Sequence, residues 1–137
     1  ADIWSVTSFT MVAREGHEIA RWNMMHPEET PKVPYASECL AKTDGPIIAA
    51  TDYVRLFAEQ IRAYIPEGRS YTVLGTDGFG RSDTRANLRR FFEIDRYYVT
   101  VAALDALARV GEIPAETVAQ AIEKYGMDSE KPNPIIM

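Results

Sequence analysis

The chain has 137 residues, a common length for one domain, and hydrophobic residues make up 46% of it. This composition excludes a disordered chain and allows one sizeable core. The formal net charge of -5 argues against nucleic acid as a partner, because phosphate binding needs a basic face. No apolar stretch reaches the roughly 20 residues that span a bilayer, so we expect no membrane partner.

The N-terminus and the single cysteine indicate the cellular setting. The chain opens at Ala1 with no initiator methionine, basic region or apolar leader, which hints at a boundary within a longer polypeptide. Cys39 cannot form an internal disulfide, and no pattern that would activate its thiol surrounds it. We therefore expect a cytoplasmic fragment of a larger protein.

The first forty residues predict a strand and two helices. A β-branched and aromatic segment at residues 3–8 is typical of a strand. Ser8 can cap the helix that follows. We expect Gly16 to interrupt this helix and His26 to end it, because a residue before proline avoids the helical region. After a proline-rich loop, residues 35–41 could form a short helix.

The middle of the chain contains the two clearest strands. The apolar run at residues 46–50 is typical of a strand buried on both faces of a parallel sheet, and residues 71–74 predict the next strand. Between them, Thr51 or Asp52 would cap a helix that ends at Pro66. Its apolar side chains recur at steps of three and four residues.

The last third predicts three helices, with a short strand at residues 93–94. In chain order the helices run from Ser82 or Asp83 to Phe91, from Asp95 to Gly111, and from Pro114 to Gly126. Alternating strands and helices indicate parallel strands with right-handed crossovers. We therefore predict an α/β fold, a three-layer α/β/α sandwich with a mostly parallel sheet, as one domain over residues 1–137.

The strongest candidate site is the glycine-rich turn at residues 75–83, between the second clear strand and the next helix. Open α/β sheets bind ligands at this position. Backbone N–H groups and Arg81 could hold an anion there, but the spacing is neither a dinucleotide fingerprint nor a P-loop. Asp77 and Asp83 would also repel an anion. The other interpretation is a shaped turn that organises a domain interface, with an exposed Phe79 that fills a pocket elsewhere.

A basic stripe follows this turn. It consists of Arg85, Arg89 and Arg90 together with Arg81, and three of these recur every four residues and so share one helix face: Arg81, Arg85 and Arg89. The stripe either pairs with neighbouring carboxylates or docks an acidic partner or the rest of a parent enzyme, and the sequence leaves both open. The residues of the possible interface or effector loop are Asp77, Gly78, Phe79, Gly80, Arg81, Arg85 and Arg89.

The sequence predicts no catalytic, cofactor-binding or metal-binding residue. His17 and His26 are the only histidines, and no cysteine or carboxylate stands at metal-ligand spacing from them. No serine lies in a nucleophile elbow. These residues alone therefore indicate no reaction.

Several segments of the chain carry a family resemblance. The longest runs from Val73 to Asp95 and contains the glycine turn with its Gly-Arg-Ser-Asp extension. The shorter ones are IWSVTSFT at 3–10, RWNMMHP at 21–27, TDY at 51–53, VAAL at 101–104 and NP at 133–134. Together they closely resemble the C-terminal, transketolase-like part of the homodimeric bacterial pyruvate dehydrogenase E1 component, and the resemblance covers essentially the whole chain.

The resemblance implies a three-domain enzyme whose first two domains bind thiamine diphosphate and Mg²⁺ at a dimer interface. That enzyme decarboxylates pyruvate and passes the acetyl group to a lipoyl group of its E2 acetyltransferase partner. The present chain would be the third domain, in contact with the N-terminal and middle domains and with the dimer mate. It would hold no cofactor, and in isolation it would be inactive. The alternative is a small-effector or anion-binding module that uses the loop from Gly75 to Asp83.

Overall fold

The computed structural model describes all 137 residues, and their contacts divide the chain into two compact units. The first unit is Ala1–Asp44 with Leu56–Arg69, and the second is Gly45–Arg55 with Ser70–Met137. Each unit therefore combines two separate stretches of sequence. The single domain over residues 1–137 stays a prediction.

The first unit is helical. Its elements are α1 (Phe9–Met25), α2 (Tyr35–Leu40), α3 (Leu56–Glu59) and a 3-10 turn at Arg62–Tyr64. Ser8 caps α1 as predicted, since its hydroxyl accepts a hydrogen bond from the backbone N–H of Met11 at 3.2 Å. The carboxylate of Glu15 on α1 accepts the first N–H of α2, at Tyr35, at 3.1 Å. This bond fixes the start of α2 on α1.

The predicted interruption of α1 at Gly16 is wrong, because the helix is continuous and Gly16 is buried inside it. A Cβ at this position would lie 2.5 Å from the ring of Tyr64. The glycine therefore serves close packing rather than a helix break. The strand predicted at residues 3–8 is also wrong, because this segment is exposed and has no strand neighbour to complete its hydrogen bonds.

The long helix predicted before Pro66 is replaced by α3 and the 3-10 turn. The buried side chains there are Ala58, Ile61 and Tyr64, at steps of three residues. A 3-10 turn repeats every three residues, so this spacing suits the shorter, tighter elements. The apolar periodicity therefore predicted these three buried residues, but it was wrong on the helix length and on Val54 and Phe57, which are exposed.

The second unit contains the sheet. Strands β1 (Ile47–Ala50) and β2 (Tyr71–Leu74) pair in parallel, with Ile47 opposite Tyr71 and Ala50 opposite Leu74. The other elements are α4 (Arg85–Phe91), α5 (Arg96–Arg109), α6 (Ala115–Lys124) and a 3-10 turn at Pro134–Ile136. Helix α5 packs on both strands and on α6. The predicted α/β fold with a parallel sheet is confirmed, and the sheet has two strands.

Local signals set most helix ends in this unit. Asp95 caps α5 as predicted, and its carboxylate accepts hydrogen bonds from the N–H groups of Tyr97 and Tyr98. Helix α4 begins one or two residues later than predicted, because its cap is Thr84 rather than Asp83 or Ser82. The strand predicted at residues 93–94 is a turn, in which Glu93 has a φ of 62°.

The buried core is small and rich in alanine. The buried apolar residues are Ala13, Ala36, Ala58, Ile61, Tyr64, Tyr71, Val73, Ile94, Ala106 and Ala121. Several large apolar side chains remain exposed, among them Phe79 and Ile136 at 77% each. None of the helices combines the length and the apolar character needed to cross a bilayer.

Candidate functional site

The candidate site lies where β1 and β2 end. Parallel strands end at the same edge of a sheet, so the segments that leave them meet there. The backbone N–H of Thr76, after β2, donates to the carbonyl of Tyr53, after β1, at 2.9 Å. The Thr76 hydroxyl also donates to the carbonyl of Asp52 at 3.0 Å. These two bonds fasten the base of the glycine-rich turn to the segment that follows β1.

Asp77 strengthens this base. Its carboxylate accepts a hydrogen bond from Nε of Arg55 at 2.7 Å and a longer one from the Arg55 backbone N–H at 3.3 Å. The arginine side chain is 42% exposed, so we expect this ion pair to contribute at most about 1 kcal/mol. At Gly75 a Cβ would lie 2.7 Å from the Arg55 backbone nitrogen. A glycine is therefore required where the two segments come closest.

The C-terminal tail contacts the turn at Gly78. It has a φ of +118°, which side chains other than glycine rarely adopt, and a Cβ there would lie 2.5 Å from the carbonyl oxygen of Pro134. Pro134 is buried and begins a 3-10 turn that Asn133 caps by accepting the N–H of Ile135 at 3.0 Å. The turn is thus fixed on one side by the segment after β1 and on the other by the tail.

The tip of the turn, in contrast, is open. Phe79 is 77% exposed, and a Cβ at Gly80 would meet nothing within 4 Å. The guanidinium of Arg81 lies over the ring of Phe91, 3.9 Å from its centroid. Because α4 begins at Arg85, Arg81 lies outside the helix and does not share a helix face with Arg85 and Arg89.

Side chains at the start of α4 bond to the cap residue and to one N–H of the first turn. The Thr84 hydroxyl accepts the N–H of Asn87 at 3.3 Å, and the Asp83 carboxylate accepts the N–H of Thr84 at 2.6 Å. Asp83 also accepts the side-chain amide of Asn87 at 2.8 Å. The hydrogen bonds from Asn87 and Thr84 lower the pKa of Asp83 below its ordinary value. The Asp83 carboxylate therefore holds negative charge just before α4, where it would repel an external anion.

The arginines of the predicted stripe have different environments. Arg89 forms an ion pair with Asp52 at 3.0 Å, and this bond raises its pKa. Arg90 bonds to the Asp95 carboxylate at 3.4 Å and to the carbonyls of Tyr125 and Gly126 at 3.0 Å each. Arg85 is exposed and makes no hydrogen bond or ion pair. Ion pairing thus accounts for Arg89 and Arg90, while Arg85 remains available to a partner.

Three structural residues near the site were missed by the sequence analysis. Nζ of Lys131 donates to the Phe91 carbonyl at 2.6 Å and to the Glu93 carboxylate at 3.0 Å, so it holds the tail against the end of α4. Arg55 and Pro134, which contact the glycine turn, were also missed as site residues. Their partners are distant in sequence, and no local pattern marks them. The pair Asn133-Pro134 was one of the segments on which the resemblance rested, but neither the resemblance nor the residues around the pair indicated a structural role for it.

No three or more side chains of His, Cys, Asp or Glu are grouped so that they could hold a metal ion. Nδ1 of His26 hydrogen-bonds the Trp22 carbonyl at 2.8 Å, and its ring stacks on the Trp22 ring. His17 contacts the ring of Tyr64 edge-on. Cys39 is a half-buried free thiol. Its hydrogen bond with Tyr35 raises the pKa of that tyrosine. Both histidines thus take part in ring contacts inside the protein.

With the parallel strands and the turn described, the chain can be compared with known proteins. It belongs to the family of transketolase-like TK C-terminal domains, which it matches over residues 1–95.

Its relatives include pyruvate dehydrogenase E1 components. The chain is 58% identical to that of Cupriavidus necator over 135 residues, and 56% identical to those of Pseudomonas aeruginosa over 135 and Escherichia coli K12 over 134. Each match covers 98% of this chain and 15% of the relative. The resemblance inferred from the sequence motifs is confirmed, and the chain spans about 15% of the length of these curated relatives.

Proposed function

We propose that residues 1–137 form a single, non-catalytic domain of a pyruvate dehydrogenase E1 component. The whole enzyme would decarboxylate pyruvate in the cytoplasm and pass the acetyl group to the lipoyl group of an E2 acetyltransferase. The observation that carries this proposal is the 56–58% identity to proteins of that name along 98% of the chain. The family match supports the same assignment.

The domain's role is to present a preformed surface to the N-terminal and middle domains and to the dimer mate. The bonds of Thr76 and Asp77 and the close packing of Gly78 hold the base of the turn, while Phe79 stays exposed at its tip. A surface that is already ordered loses less conformational entropy when it associates. The geometry therefore suits an interface better than a flexible loop.

Thiamine diphosphate and Mg²⁺ would bind in the other domains. Thiamine diphosphate would supply the carbanion that attacks pyruvate, and Mg²⁺ would hold its diphosphate. The residues of this chain do not fit either group. No metal-binding cluster is present, and the N–H groups of Thr84 and Asn87 are already bonded to side chains. A diphosphate at this helix end would also meet the carboxylate of Asp83.

The proposal is tested with the longer polypeptide that contains these residues. Pyruvate-dependent reduction of an artificial electron acceptor is measured with and without thiamine diphosphate and Mg²⁺. We expect activity that requires both, and none from the 137-residue chain alone. A longer polypeptide that is inactive with both cofactors, or a 137-residue chain that turns over pyruvate, would overturn the proposal.

A further inference from the structure

Phe79 is an aromatic side chain held out from the protein on a fixed base. It is 77% exposed, and the backbone directly before it is held by the contact between Gly78 and Pro134. Burying a phenylalanine side chain in an apolar pocket stabilises an association, because it removes a large apolar surface from water. A residue of this kind, with its base already ordered, has the properties of an anchor at an interface.

A cleft follows Phe79 in the chain. Its volume is about 200 Å³, and its lining is Arg81, Ser82, Asp83, Asn87, Leu88 and Phe91. Ligand pockets usually measure about 300–1,000 Å³, so this cleft is too small for most cofactors and effectors. It has the size to receive one side chain from a partner. Leu88 and Phe91 give it an apolar wall, and Asp83 and Asn87 give it a polar one.

Arg85 adds an unused charge between Asp83 and Asn87, two of the residues that line the cleft. It is the first residue of α4 and is exposed without an ion pair, whereas Arg89 and Arg90 on the same helix are each paired with an aspartate. An arginine at the rim of an interface favours a partner with a carboxylate opposite it. The complementary surface should therefore combine an apolar pocket for Phe79 with an acidic rim for Arg85.

We propose that this knob-and-cleft surface, made of Phe79, the cleft and Arg85, docks on an acidic-rimmed apolar pocket in the remainder of the same polypeptide. The chain spans about 15% of the length of its relatives, so most of such a polypeptide lies outside these residues. The inference rests on the proposed function in one respect, that the chain is part of a longer one.

The test replaces Phe79 with photoreactive p-benzoylphenylalanine in the longer polypeptide, made as a mixture of ¹⁵N-labelled and unlabelled chains. After irradiation, mass spectrometry identifies the peptide that is attached to position 79. We expect a crosslink to a peptide outside the 137 residues, with both partners carrying the same isotope. A crosslink between labelled and unlabelled chains would place the pocket on a second copy and overturn the proposal. Reaction with solvent alone would also overturn it.

The matched control is the same photoreactive residue at Met24, which is 71% exposed on α1. We expect little crosslinking there, and equal yields from both positions would contradict the assignment to Phe79. Arg85→Glu should lower the crosslink yield from position 79 about tenfold, because it sets like charges against each other. Arg109→Glu, an exposed arginine on α5, should leave the yield unchanged.

A second measurement needs no substitution at Phe79. Hydroxyl-radical footprinting of the unsubstituted longer polypeptide should show Phe79 protected several-fold relative to the unfolded chain. Oxidation at the rate of an exposed phenylalanine would overturn the docking proposal. Neither measurement depends on pyruvate turnover. A crosslinked but inactive polypeptide would refute only the proposed function, and an active polypeptide with an exposed Phe79 would refute only the docking.

Discussion

Gly78 and Pro134 are in direct backbone contact, although one lies just after β2 and the other in the C-terminal tail. A Cβ on Gly78 would come within 2.5 Å of the Pro134 carbonyl oxygen and 3.2 Å of its carbonyl carbon. Both atoms belong to the backbone, so neither can move aside as a flexible side chain would. The tail therefore determines which residue the turn can hold at this position.

Gly78→Ala should lower the free energy of unfolding of the chain by about 2–4 kcal/mol. Alanine would be strained at a φ of +118°, and its methyl group would displace the tail. Urea unfolding followed by circular dichroism measures the change. Gly80→Ala is the matched control, because its methyl group would enter open space, and its effect should stay within about 0.5 kcal/mol. Equal effects at both positions would mean that the tail does not constrain the turn.

Sequence reasoning predicted the elements with local signals and missed the contacts between distant segments. The caps at Ser8 and Asp95 and the strand at Tyr71–Leu74 were correct, because a helix end or a buried strand is encoded in a few adjacent residues. The exposed tip at Phe79 was predicted from its flanking glycines. The tail contact of Gly78 depends on the three-dimensional position of Pro134, which no local pattern specifies.

Arg90 should contribute more to stability than any surface arginine of α5. Its guanidinium holds the carbonyls of Tyr125 and Gly126 at the end of α6, together with the Asp95 carboxylate that caps α5. Removing it leaves these groups without a charged partner. We expect Arg90→Ala to cost about 1–2 kcal/mol, since the side chain is 35% exposed and partly screened by water.

The control for Arg90 is Arg109→Ala on α5. Arg109 pairs with Asp105 one helical turn away at 2.7 Å, and its side chain is 77% exposed. Water screens such an exposed pair strongly, so little change is expected in urea unfolding. If the two substitutions had the same effect, the bonds of Arg90 to the end of α6 would contribute nothing measurable.

The start of α4 should loosen in acid. The hydrogen bonds from Asn87 and Thr84 lower the pKa of Asp83 in the folded chain. Its contribution to stability is therefore complete above the unfolded value of about 3.9 and is lost as the pH falls through the lower folded value. NMR titration can follow the Asp83 carboxyl carbon and the Asn87 side-chain amide that donates to it. Both signals should show this transition below a pH of about 3.9.

Asp83→Asn should remove the acid transition at the Asn87 amide, because the amide side chain does not titrate in this range. Asp2→Asn, at the exposed N-terminus, is the control and should leave the transition in place. If the Asn87 side-chain amide responded to acid in the same way in the unsubstituted chain and in both variants, a group other than Asp83 would be responsible.

The turn from Gly75 to Asp83 should not bind small anions. NMR titration with pyruvate, acetyl-CoA or thiamine diphosphate with Mg²⁺ should give no saturating amide shifts between Thr76 and Ser82 at millimolar ligand. The reason is local, because the Asp83 carboxylate accepts the Thr84 N–H and holds negative charge beside the helix start. Asp83→Asn removes that charge, so weak anion binding in this variant alone would identify Asp83 as the competing group. Saturating shifts in the unsubstituted chain would instead support the effector-binding alternative, and the interface would then share its loop with a ligand.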